Sequence, residues 1–231
     1  LFERSFAGAH VVRATTPPDP ATAVAGIDFQ CTLGGLPRWL RRTGDSFAAP
    51  KPYLAADPAA SAAIRARYDR RGPAPKIGIA WRSITPRWGN IKTSPLAHWD
   101  PILSQGGVEF VNLQYGDCAA DLAQIERRLG VTVIDDTTID QMASVDDFAA
   151  QIDALDLVVS ISNSTVHVAG ALGKPVWTML PYAPDWRWQL GRSDTLWYPN
   201  MRLIRQPRFG DWESVFAQVA ADLAAWRAAR P

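Results

Sequence analysis

The segment formed by residues 156–180, DLVVSISNSTVHVAGALGKPVWTML, constrains the fold more strongly than any other part of the chain. An apolar run at residues 157–161 leads into four polar residues, a helical pattern of small residues that ends at Gly173, and a second apolar run at residues 176–180. This order predicts a strand, a loop, a helix and a second strand. Such a unit is typical of a parallel sheet, in which a helix returns the chain from the carboxyl edge.

The polar residues of this segment indicate an anion-binding site. They are four good N-cap types, namely Ser162, Asn163, Ser164 and Thr165. They lie where a helix N-terminus presents unpaired N–H groups and a partial positive charge, and phosphate is the usual ligand at such a place. The alternative is a well-capped helix that binds no ligand.

His167 falls in the first turn of the predicted helix. The helix dipole disfavours imidazolium there, so we expect a neutral side chain in the free protein, whereas a bound diphosphate would favour protonation. We hypothesise that His167 contacts a nucleotide diphosphate and that binding takes up a proton. The alternative is a histidine that only packs against its neighbours.

Alternating strand and helix patterns continue through most of the chain after residue 72. Further strands are predicted at residues 76–81, 108–114, 131–134 and 201–205. Helices are predicted at residues 59–70, 95–105, 119–129, 146–154, 165–172 and 212–229. Because strands and helices alternate with short connections, the sequence predicts an α/β fold with a parallel, doubly wound, Rossmann-like sheet.

The first part of the chain has a less regular pattern. Short strands are predicted at residues 10–15 and 28–33, and residues 48–58 are extended and rich in proline, as linkers often are. The chain begins at Leu1 with a pattern typical of the end of a helix, so we expect a fragment of a longer chain. The prediction divides the chain into three parts: residues 1–72, a Rossmann-like domain at residues 73–209, and a C-terminal helix at residues 210–231.

Composition argues against several classes of protein. Hydrophobic residues make up 47% and charged residues 20% of the chain, with a formal net charge of +1, so neither a nucleic-acid nor a membrane partner is predicted. Apolar runs stay far shorter than the roughly 20 residues that cross a bilayer, and a cytoplasmic protein is expected. Cys31 and Cys118 stand far apart without a Cys/His cluster, so neither a disulfide framework nor a metal site is predicted.

Candidate binding residues follow the predicted strands, because ligands of open parallel sheets bind beyond the carboxyl ends of the strands. These candidates are Arg82, Ser83, Lys92, Gln114, Asp185 and Arg187. Arg82 and Lys92 flank the loop RSITPRWGNIK, whose cations and hydroxyls suit a diphosphate, although it could also be a solvated surface loop. The motif KIGIAWRS lacks the glycine spacing of a nicotinamide or flavin site, which argues against oxidoreductase chemistry.

The segment PYAPDWRW, residues 181–188, is dense in aromatic side chains, and Trp197 and Tyr198 follow it. Aromatic faces can stack on a base or a sugar. They can equally fill the interior of a long irregular loop, which is the favoured interpretation for Trp188 and Trp197.

Several of these segments together resemble a known family. They are GIAWRS with the downstream Lys92, FVNLQYG, VVSISNSTVHVAGALGKPVW and LPYAPDWRWQLGRSDTLWYPNMRLIRQ, and with them DFQCTLGGLP. The chain resembles, over nearly its whole length, the C-terminal glycosyltransferase region of bacterial tetratricopeptide-repeat proteins, which is related to the heptosyltransferase-like group of glycosyltransferase family 9. The resemblance implies a GT-B architecture of two facing Rossmann-like domains. Residues 1–72 would then be a partial N-terminal, acceptor-side half with its linker, and repeats would lie upstream of Leu1.

The resemblance also implies roles for individual residues. The loop with Asn163, Ser164, Thr165 and His167 would hold the donor diphosphate, with Lys92 and the loop after Arg82 beside it. Heptosyltransferases typically have an aspartate at the start of this loop, where this chain has Ser162 and Asn163, so the identity of the donor stays open. The related enzymes carry their general base in the first loop of the N-terminal domain, a part that we expect to lie outside this fragment, so no catalytic base is assigned.

The predicted function is transfer of a sugar from a nucleotide-diphosphate sugar to an unknown acceptor, either a protein or a glycan, without a metal or another cofactor. The predicted donor-binding residues are Arg82, Ser83, Lys92, Gln114, Asn163, Ser164, Thr165, His167, Asp185 and Arg187. Two alternatives stay open: a nucleotide-sugar epimerase on the same fold, and a non-catalytic Rossmann-like module that serves interaction.

Overall fold

A parallel sheet forms the centre of the chain. The computed structural model describes residues 1–23, 25–47, 49–83, 85 and 89–230. Within that part, the five strands are β1 (Lys76–Ala80), β2 (Glu109–Asn112), β3 (Leu157–Ile161), β4 (Val176–Leu180) and β5 (Met201–Arg205). They are parallel and have the order β2-β1-β3-β4-β5. The predicted α/β fold with a parallel sheet is therefore confirmed.

Helices connect the strands and cover the sheet. They are α1 (Phe2–Ser5), α2 (Pro37–Leu40), α3 (Pro58–Asp69), α4 (Gly89–Lys92), α5 (Asp100–Leu103), α6 (Ala119–Leu129), α7 (Val145–Asp153), α8 (Ser164–Ala171) and α9 (Trp212–Ala228). Local sequence sets several of their ends. The Ser144 hydroxyl caps α7 by accepting from the Asp147 N–H at 3.1 Å. Gly130 ends α6 in the left-handed conformation, with φ of 66°.

The core has two layers, one on each face of the sheet. Apolar side chains of α3, α7 and α8, such as Ile64, Phe148 and Val166, pack on one face. Those of α5, α6 and α9, such as Leu103 and Ile125, pack on the other. Because both faces are covered, every residue of β1 and β3 is buried, which explains why these strands are apolar apart from Lys76 and Ser160.

Close packing beneath the sheet explains the glycine in the middle of β1. A Cβ atom at Gly78 would lie 2.4 Å from Leu113 Cδ1 and 2.6 Å from Leu155 Cδ1. Any larger residue would therefore displace two core leucines, which is the overpacking penalty of a dense interior.

The crossing order of the strands places a crevice at the carboxyl edge. The connection that leaves β1 leads outward to β2, whereas the connection that leaves β3 leads to β4 on the opposite side. The connections therefore diverge between β1 and β3, and parallel sheets bind ligands at such a topological switch point. The loops that begin at Trp81 and at Ser162 flank this crevice.

Two predicted elements of the sheet region are wrong in detail. Residues 131–134 form no strand; Ile134 makes a single bridge to Val111, because only its own N–H and C=O reach β2. The helix predicted at residues 95–105 is a 3-10 turn, Leu96–Trp99, followed by the short α5. Pro101 lies in the first turn of α5 and cannot donate a backbone hydrogen bond, so it interrupts a continuous helix.

The strands predicted at residues 10–15 and 28–33 are also wrong. The structure has no strand at either place, and residues Leu33–Gly35 form a 3-10 turn. An extended segment becomes a strand only where another strand satisfies its N–H and C=O groups, and no strand of the described chain lies beside these segments. The predicted linker at residues 48–58 has no helix or strand from residue 49 to Asp57, α3 begins at Pro58, and residue 48 lies outside the described part.

The predicted division of the chain stays a prediction. The helix α3, which falls in the predicted N-terminal part, packs against α7 and contributes Ile64 and Tyr68 to the core of the sheet region. No helix of the described residues is long and apolar enough to cross a membrane.

Candidate functional site

A cavity of about 570 Å³ opens at the carboxyl edge of the sheet, beside the switch point. We call it the cationic cavity and define it by the predicted site residues that line it: Ser83, Lys92, Asn163, Ser164, His167, Asp185 and Arg187. The loops that follow β1, β3 and β4, together with α4 and the first turn of α8, supply these residues. The structure thus brings together residues that are far apart in the sequence, as expected for strand ends of one parallel sheet.

The N-terminus of α8 forms one wall of the cationic cavity. Asn163 is its N-cap, and the Asn163 Oδ1 atom accepts from the Thr165 N–H at 3.0 Å. Asn163 is only 7% exposed, and among the described residues its amide Nδ2 has no hydrogen-bond partner. A buried donor without a partner is unfavourable unless a ligand or water meets it. Asn163, which lines the cavity, therefore holds a buried donor without a partner at the start of α8.

Two cations face each other across a carboxylate in the cavity. Lys92 Nζ lies 3.7 Å from one oxygen of Asp185, and Arg187 Nη1 lies 3.6 Å from the other. The Asp185 carboxylate also accepts from the Arg187 backbone N–H at 3.0 Å. Both ion pairs are long and partly exposed, so each contributes little to stability. The cations are thus available to a stronger anion.

This environment strongly affects the protonation of His167. Burial lowers its pKa to about 4; Asp185 opposes this shift, whereas Arg187 and Lys92 add to it. The predicted neutral imidazole is therefore confirmed at neutral pH. The main cause is desolvation of the charged form rather than the helix dipole on which the prediction was based.

Aromatic rings fix the His167 side chain. Its Nδ1 atom lies 2.8 Å from the Tyr198 hydroxyl, and its ring stacks on Trp188 with centroids 5.0 Å apart and planes 13° apart. Trp188 is 1% exposed, and its Nε1–H donates to the Ser162 hydroxyl at 2.9 Å. The packing role predicted for Trp188 is confirmed, since it supports the site from below.

Arg82 and Thr165 do not line the cationic cavity. The Arg82 guanidinium pairs with Asp121 on α6 and donates to the Asp117 carbonyl, so it points toward α6. Thr165 is fully buried in the first turn of α8. Their predicted contact with a ligand is therefore not supported by the cavity lining.

Gln114 braces the loop after β1 instead of lining this cavity. Its Oε1 atom accepts from the backbone N–H groups of Trp81 and Arg82, at 3.0 and 2.8 Å. Its Nε2 atom donates to the Tyr115 carbonyl at 3.1 Å. With both ends of the amide engaged, Gln114 holds the mouth of the site in shape.

Four further residues line the cationic cavity that the site prediction omitted: Thr85, Tyr115, Ser162 and Tyr198. Ser162 and Tyr115 both follow strands, and Ser162 belonged to the predicted anion-binding loop, but neither residue was included in the predicted donor-binding set. Tyr198 lies in the long connection between β4 and β5, and no local pattern distinguishes it from the other aromatic residues there.

A second cavity of about 570 Å³ adjoins the first along the same edge. We call it the acidic cavity and define it by the carboxylates that line it, namely Asp117, Asp135, Asp136 and Asp140. Tyr115 lines both cavities. Burial opposes ionisation of Asp136, but hydrogen bonds from Thr138 and Arg67 hold its pKa below the ordinary value. The acidic cavity therefore repels phosphates and suits hydroxyl or amino groups.

The described residues contain no group of three or more His, Cys, Asp or Glu side chains arranged to hold a metal ion. Cys31 is exposed and Cys118 is buried, and both are free thiols.

Solved structures identify the class of fold. The chain superposes on the glycosyl transferase family 9 protein of Veillonella parvula with a TM-score of 0.53 at 11% identity, over 75% of this chain and 52% of that one. It superposes on the ADP-heptose heptosyltransferase II of E. coli with a TM-score of 0.55 at 19% identity, over 82% of this chain and 58% of that one. The chain therefore has the α/β fold of these GT-B-like heptosyltransferases, as the sequence resemblance implied.

Sequence comparison adds one relative. Protein FlbA of Caulobacter vibrioides is 37% identical to this chain over 198 residues, which are 85% of this chain and 33% of that protein. The chain thus spans about a third of the length of this curated relative. No protein-family model matches the chain.

Proposed function

We propose that this chain binds a nucleotide-diphosphate sugar and that it serves glycosyl transfer as the donor-binding part of a glycosyltransferase. The observation that carries this proposal is the cationic cavity, where the N-terminus of α8, the cations of Lys92 and Arg187, and the unpartnered amide of Asn163 meet. Each of these groups favours an anionic acceptor, and a diphosphate spans more than one of them. The similarity to heptosyltransferase folds supports the same function.

The two adjoining cavities suggest where the diphosphate and the nucleoside of a donor would each bind. The diphosphate belongs in the cationic cavity. The nucleoside would extend past Tyr115 into the acidic cavity, where carboxylates such as Asp135 and Asp140 can accept from ribose hydroxyls or base amino groups. A ligand that carries negative charge at one end and neutral polar groups at the other fits this pair of cavities.

In the proposed reaction the diphosphate is the leaving group. Negative charge grows on it as the bond to the sugar breaks, and preorganised donors and cations stabilise that charge. Lys92, Arg187 and the α8 N-terminus would supply this stabilisation without a divalent ion. The acceptor, a protein or a glycan, would be deprotonated by a base that we do not assign to this chain. An association with tetratricopeptide repeats is part of the proposal.

A nucleotide screen tests the proposal. Thermal unfolding is measured with UDP, GDP, ADP and CDP, with inorganic pyrophosphate, and with the corresponding nucleosides as controls, each with and without EDTA. A ligand at 100 times its Kd stabilises the folded protein by about 2.7 kcal/mol, so we expect the transition to rise by roughly 5–10 °C for at least one diphosphate.

The outcomes separate the alternatives. Stabilisation that survives EDTA supports metal-independent donor binding, and a strict requirement for added divalent ions contradicts it. If no nucleoside diphosphate stabilises the protein, a non-catalytic module explains the chain better. If a nucleotide sugar is converted in the absence of any acceptor, an epimerase does.

A further inference from the structure

Two tyrosine side chains connect the His167 imidazole to the outside of the protein. The Tyr198 hydroxyl lies 2.8 Å from His167 Nδ1, and the Tyr53 side chain lies close beside Tyr198. The rings of Tyr53 and Tyr198 stack with centroids 6.3 Å apart and planes 24° apart. Tyr198 is 8% exposed, whereas Tyr53 is 43% exposed. Two stacked tyrosines thus lead from the surface to one nitrogen of the imidazole.

The His167 ring is held in one orientation. One face stacks on Trp188, and Tyr198 contacts the ring at a tilt of 54°, with centroids 5.9 Å apart. Trp188 is in turn fixed by its hydrogen bond to Ser162. A half-turn of the ring about the Cβ–Cγ bond would put Cδ2 in the place of Nδ1 and lose the hydrogen bond to Tyr198. Within the described part of the chain, Nε2 has no hydrogen-bond partner, so it is the nitrogen left for a ligand.

The segment before α3 fixes Tyr53. The backbone N–H groups of Tyr53 and Leu54 both donate to the Ala171 carbonyl at the end of α8, at 2.9 and 3.0 Å. Pro52 packs so closely on Gly173 that a Cβ atom there would lie 2.3 Å from Pro52 Cγ. This segment therefore caps α8 and holds the Tyr53 ring beside Tyr198.

Close approach also fixes Tyr198. A Cβ atom at Gly170 would lie 2.5 Å from Tyr198 Cγ, so only glycine leaves room for this ring on the flank of α8. His167 lies one turn earlier on the same helix. The helix and its two glycines thus set the spacing of the three side chains.

Counting the available protons selects one arrangement of the hydrogen bonds around Tyr198. Burial raises the pKa values of Tyr53 and Tyr198, so both phenols keep their protons, and a neutral imidazole has one N–H group. The Tyr198 hydroxyl has one proton to donate, either to His167 Nδ1 or to the Tyr53 oxygen. An imidazole nitrogen is more basic than a phenol oxygen and is therefore the better acceptor. Donation from Tyr53 to the Tyr198 oxygen would strengthen this bond further.

We propose that Tyr198, supported by Tyr53, is a positioning residue that sets the tautomer of His167: its hydroxyl donates to Nδ1 and leaves the imidazole proton on Nε2, where it can be donated to a phosphate oxygen of the donor. The inference rests on the proposed function, since that function supplies the phosphate. Lys92, Asp185 and Arg187 are the charged groups that share the cavity with this nitrogen. With the opposite tautomer, Nε2 would present a lone pair to the phosphate and repel it.

NMR of the free protein tests the tautomer directly. The chain has three histidines, His10, His98 and His167, so the imidazole nitrogens of protein labelled with ¹⁵N-histidine can be assigned by comparison with His167→Gln. At pH 7.5 we expect the wild-type protein to show His167 protonated on Nε2. A wild-type spectrum with the proton on Nδ1 overturns the proposal.

Tyrosine variants test the cause. Tyr198→Phe keeps the ring and removes the hydroxyl, so His167 should change to a mixture of both tautomers, and Tyr53→Phe should produce a smaller change in the same direction. Tyr182→Phe is the matched control, because Tyr182 is 56% exposed and does not line the cavity, and it should leave the spectrum unchanged. An unchanged His167 tautomer in Tyr198→Phe overturns the proposal. If Tyr198→Phe does not fold, the spectra of the wild type and of Tyr53→Phe still test the proposed tautomer.

Ligand binding separates this inference from the proposed function. Titration with inorganic pyrophosphate should show about fivefold weaker binding to Tyr198→Phe than to the wild type, as expected for one neutral hydrogen bond. Equal affinities of the two proteins overturn the positioning role. If the wild type binds neither pyrophosphate nor any nucleoside diphosphate, the proposed function fails, whereas the tautomer measurement on the free protein still decides what Tyr198 does.

Discussion

The cationic and acidic cavities lie side by side at one edge of one sheet, have the same volume of about 570 Å³, and differ in the sign of their charge. Both also lie near the start of a helix, α8 in one case and α6 in the other. At α8 the cap is the neutral amide of Asn163. At α6 the Asp117 carboxylate accepts from the Ala119 N–H at 3.1 Å. A helix N-terminus can bind an external anion only where no carboxylate of the chain already occupies it.

Replacement of Lys92 should have the largest effect on this comparison. Lys92→Met removes a cation from the cationic cavity and keeps most of the side-chain volume. Because a hydrogen bond from a charged group contributes about 1.5–3 kcal/mol, pyrophosphate should bind about 10- to 100-fold more weakly, as measured by calorimetry. Lys51→Met, in the exposed segment before α3, is the matched control and should bind as the wild type does. Equal losses in both variants would mean that only net charge attracts the anion.

The pH dependence of stability should show the buried imidazole of the cationic cavity. The folded-state pKa of His167 is about 4, below its ordinary value of 6.5, so the unfolded chain binds the proton more readily. The stability that depends on neutral His167 is therefore complete above pH 6.5 and is lost as the pH falls toward 4. Between pH 7 and 4.5 the Tm of the wild type should fall by about 5–10 °C more than that of His167→Gln. Parallel curves for the two proteins would contradict the buried imidazole.

His167 should also couple ligand binding to the uptake of protons. Bound pyrophosphate raises the pKa of His167, so binding at pH 6 should take up protons, detected as a dependence of the calorimetric enthalpy on the ionisation enthalpy of the buffer. His167→Gln should lose this dependence. Binding of the wild type without proton uptake would show that the imidazole stays neutral in the complex and acts only through its N–H.

A smaller effect of opposite sign is expected at Asp185. The Asp185 carboxylate lies between Lys92 and Arg187 and competes with a bound anion for both. Asp185→Asn keeps the acceptor for the Arg187 N–H and removes the charge, so pyrophosphate should bind about fivefold more tightly at low salt. The gain should shrink as ionic strength rises. Weaker binding would mean that Asp185 positions the two cations rather than competes for the anion.

The smallest effect is expected in the acidic cavity. Asp117→Asn would give α6 a neutral cap like that of α8, but Asp135, Asp136 and Asp140 would still line the cavity. Pyrophosphate affinity should therefore change by less than about twofold. A second pyrophosphate site in this variant would show that the cap alone decides between the two cavities.

Strong local patterns made the sheet region predictable. The predicted β3 and β4 match the structure, α6 spans the predicted residues 119–129, and α8 begins and ends one residue before its prediction. In these segments the spacing of apolar residues, the helix-capping residues and the glycines after the helices all predict the same elements. The prediction of short strands at residues 10–15 and 28–33 was based on residue composition alone. Without a partner strand, composition does not make a strand.

The site was predictable to the level of loops but not of single side chains. The ends of the predicted strands indicated which loops supply Ser83, Asn163 and Asp185 to the cavity. Adjacent residues of a loop can point in different directions, and the sequence does not show that Arg82 turns to Asp121 while Ser83 faces the cavity. The roles of Tyr53 and Tyr198 could not be predicted, because Tyr198 contacts the imidazole and Tyr53 contacts Tyr198 only through the packing of distant segments on α8.

The sequence by itself determined the parallel α/β sheet and the edge of it that carries the site, because both follow from local apolar period and from the direction of the strands. Only the tertiary structure decided which charges meet at that edge, how deeply His167 is buried, and which hydroxyl its Nδ1 contacts. Those properties depend on distances between residues that are remote in the chain, and dense packing rather than any local pattern fixes such distances.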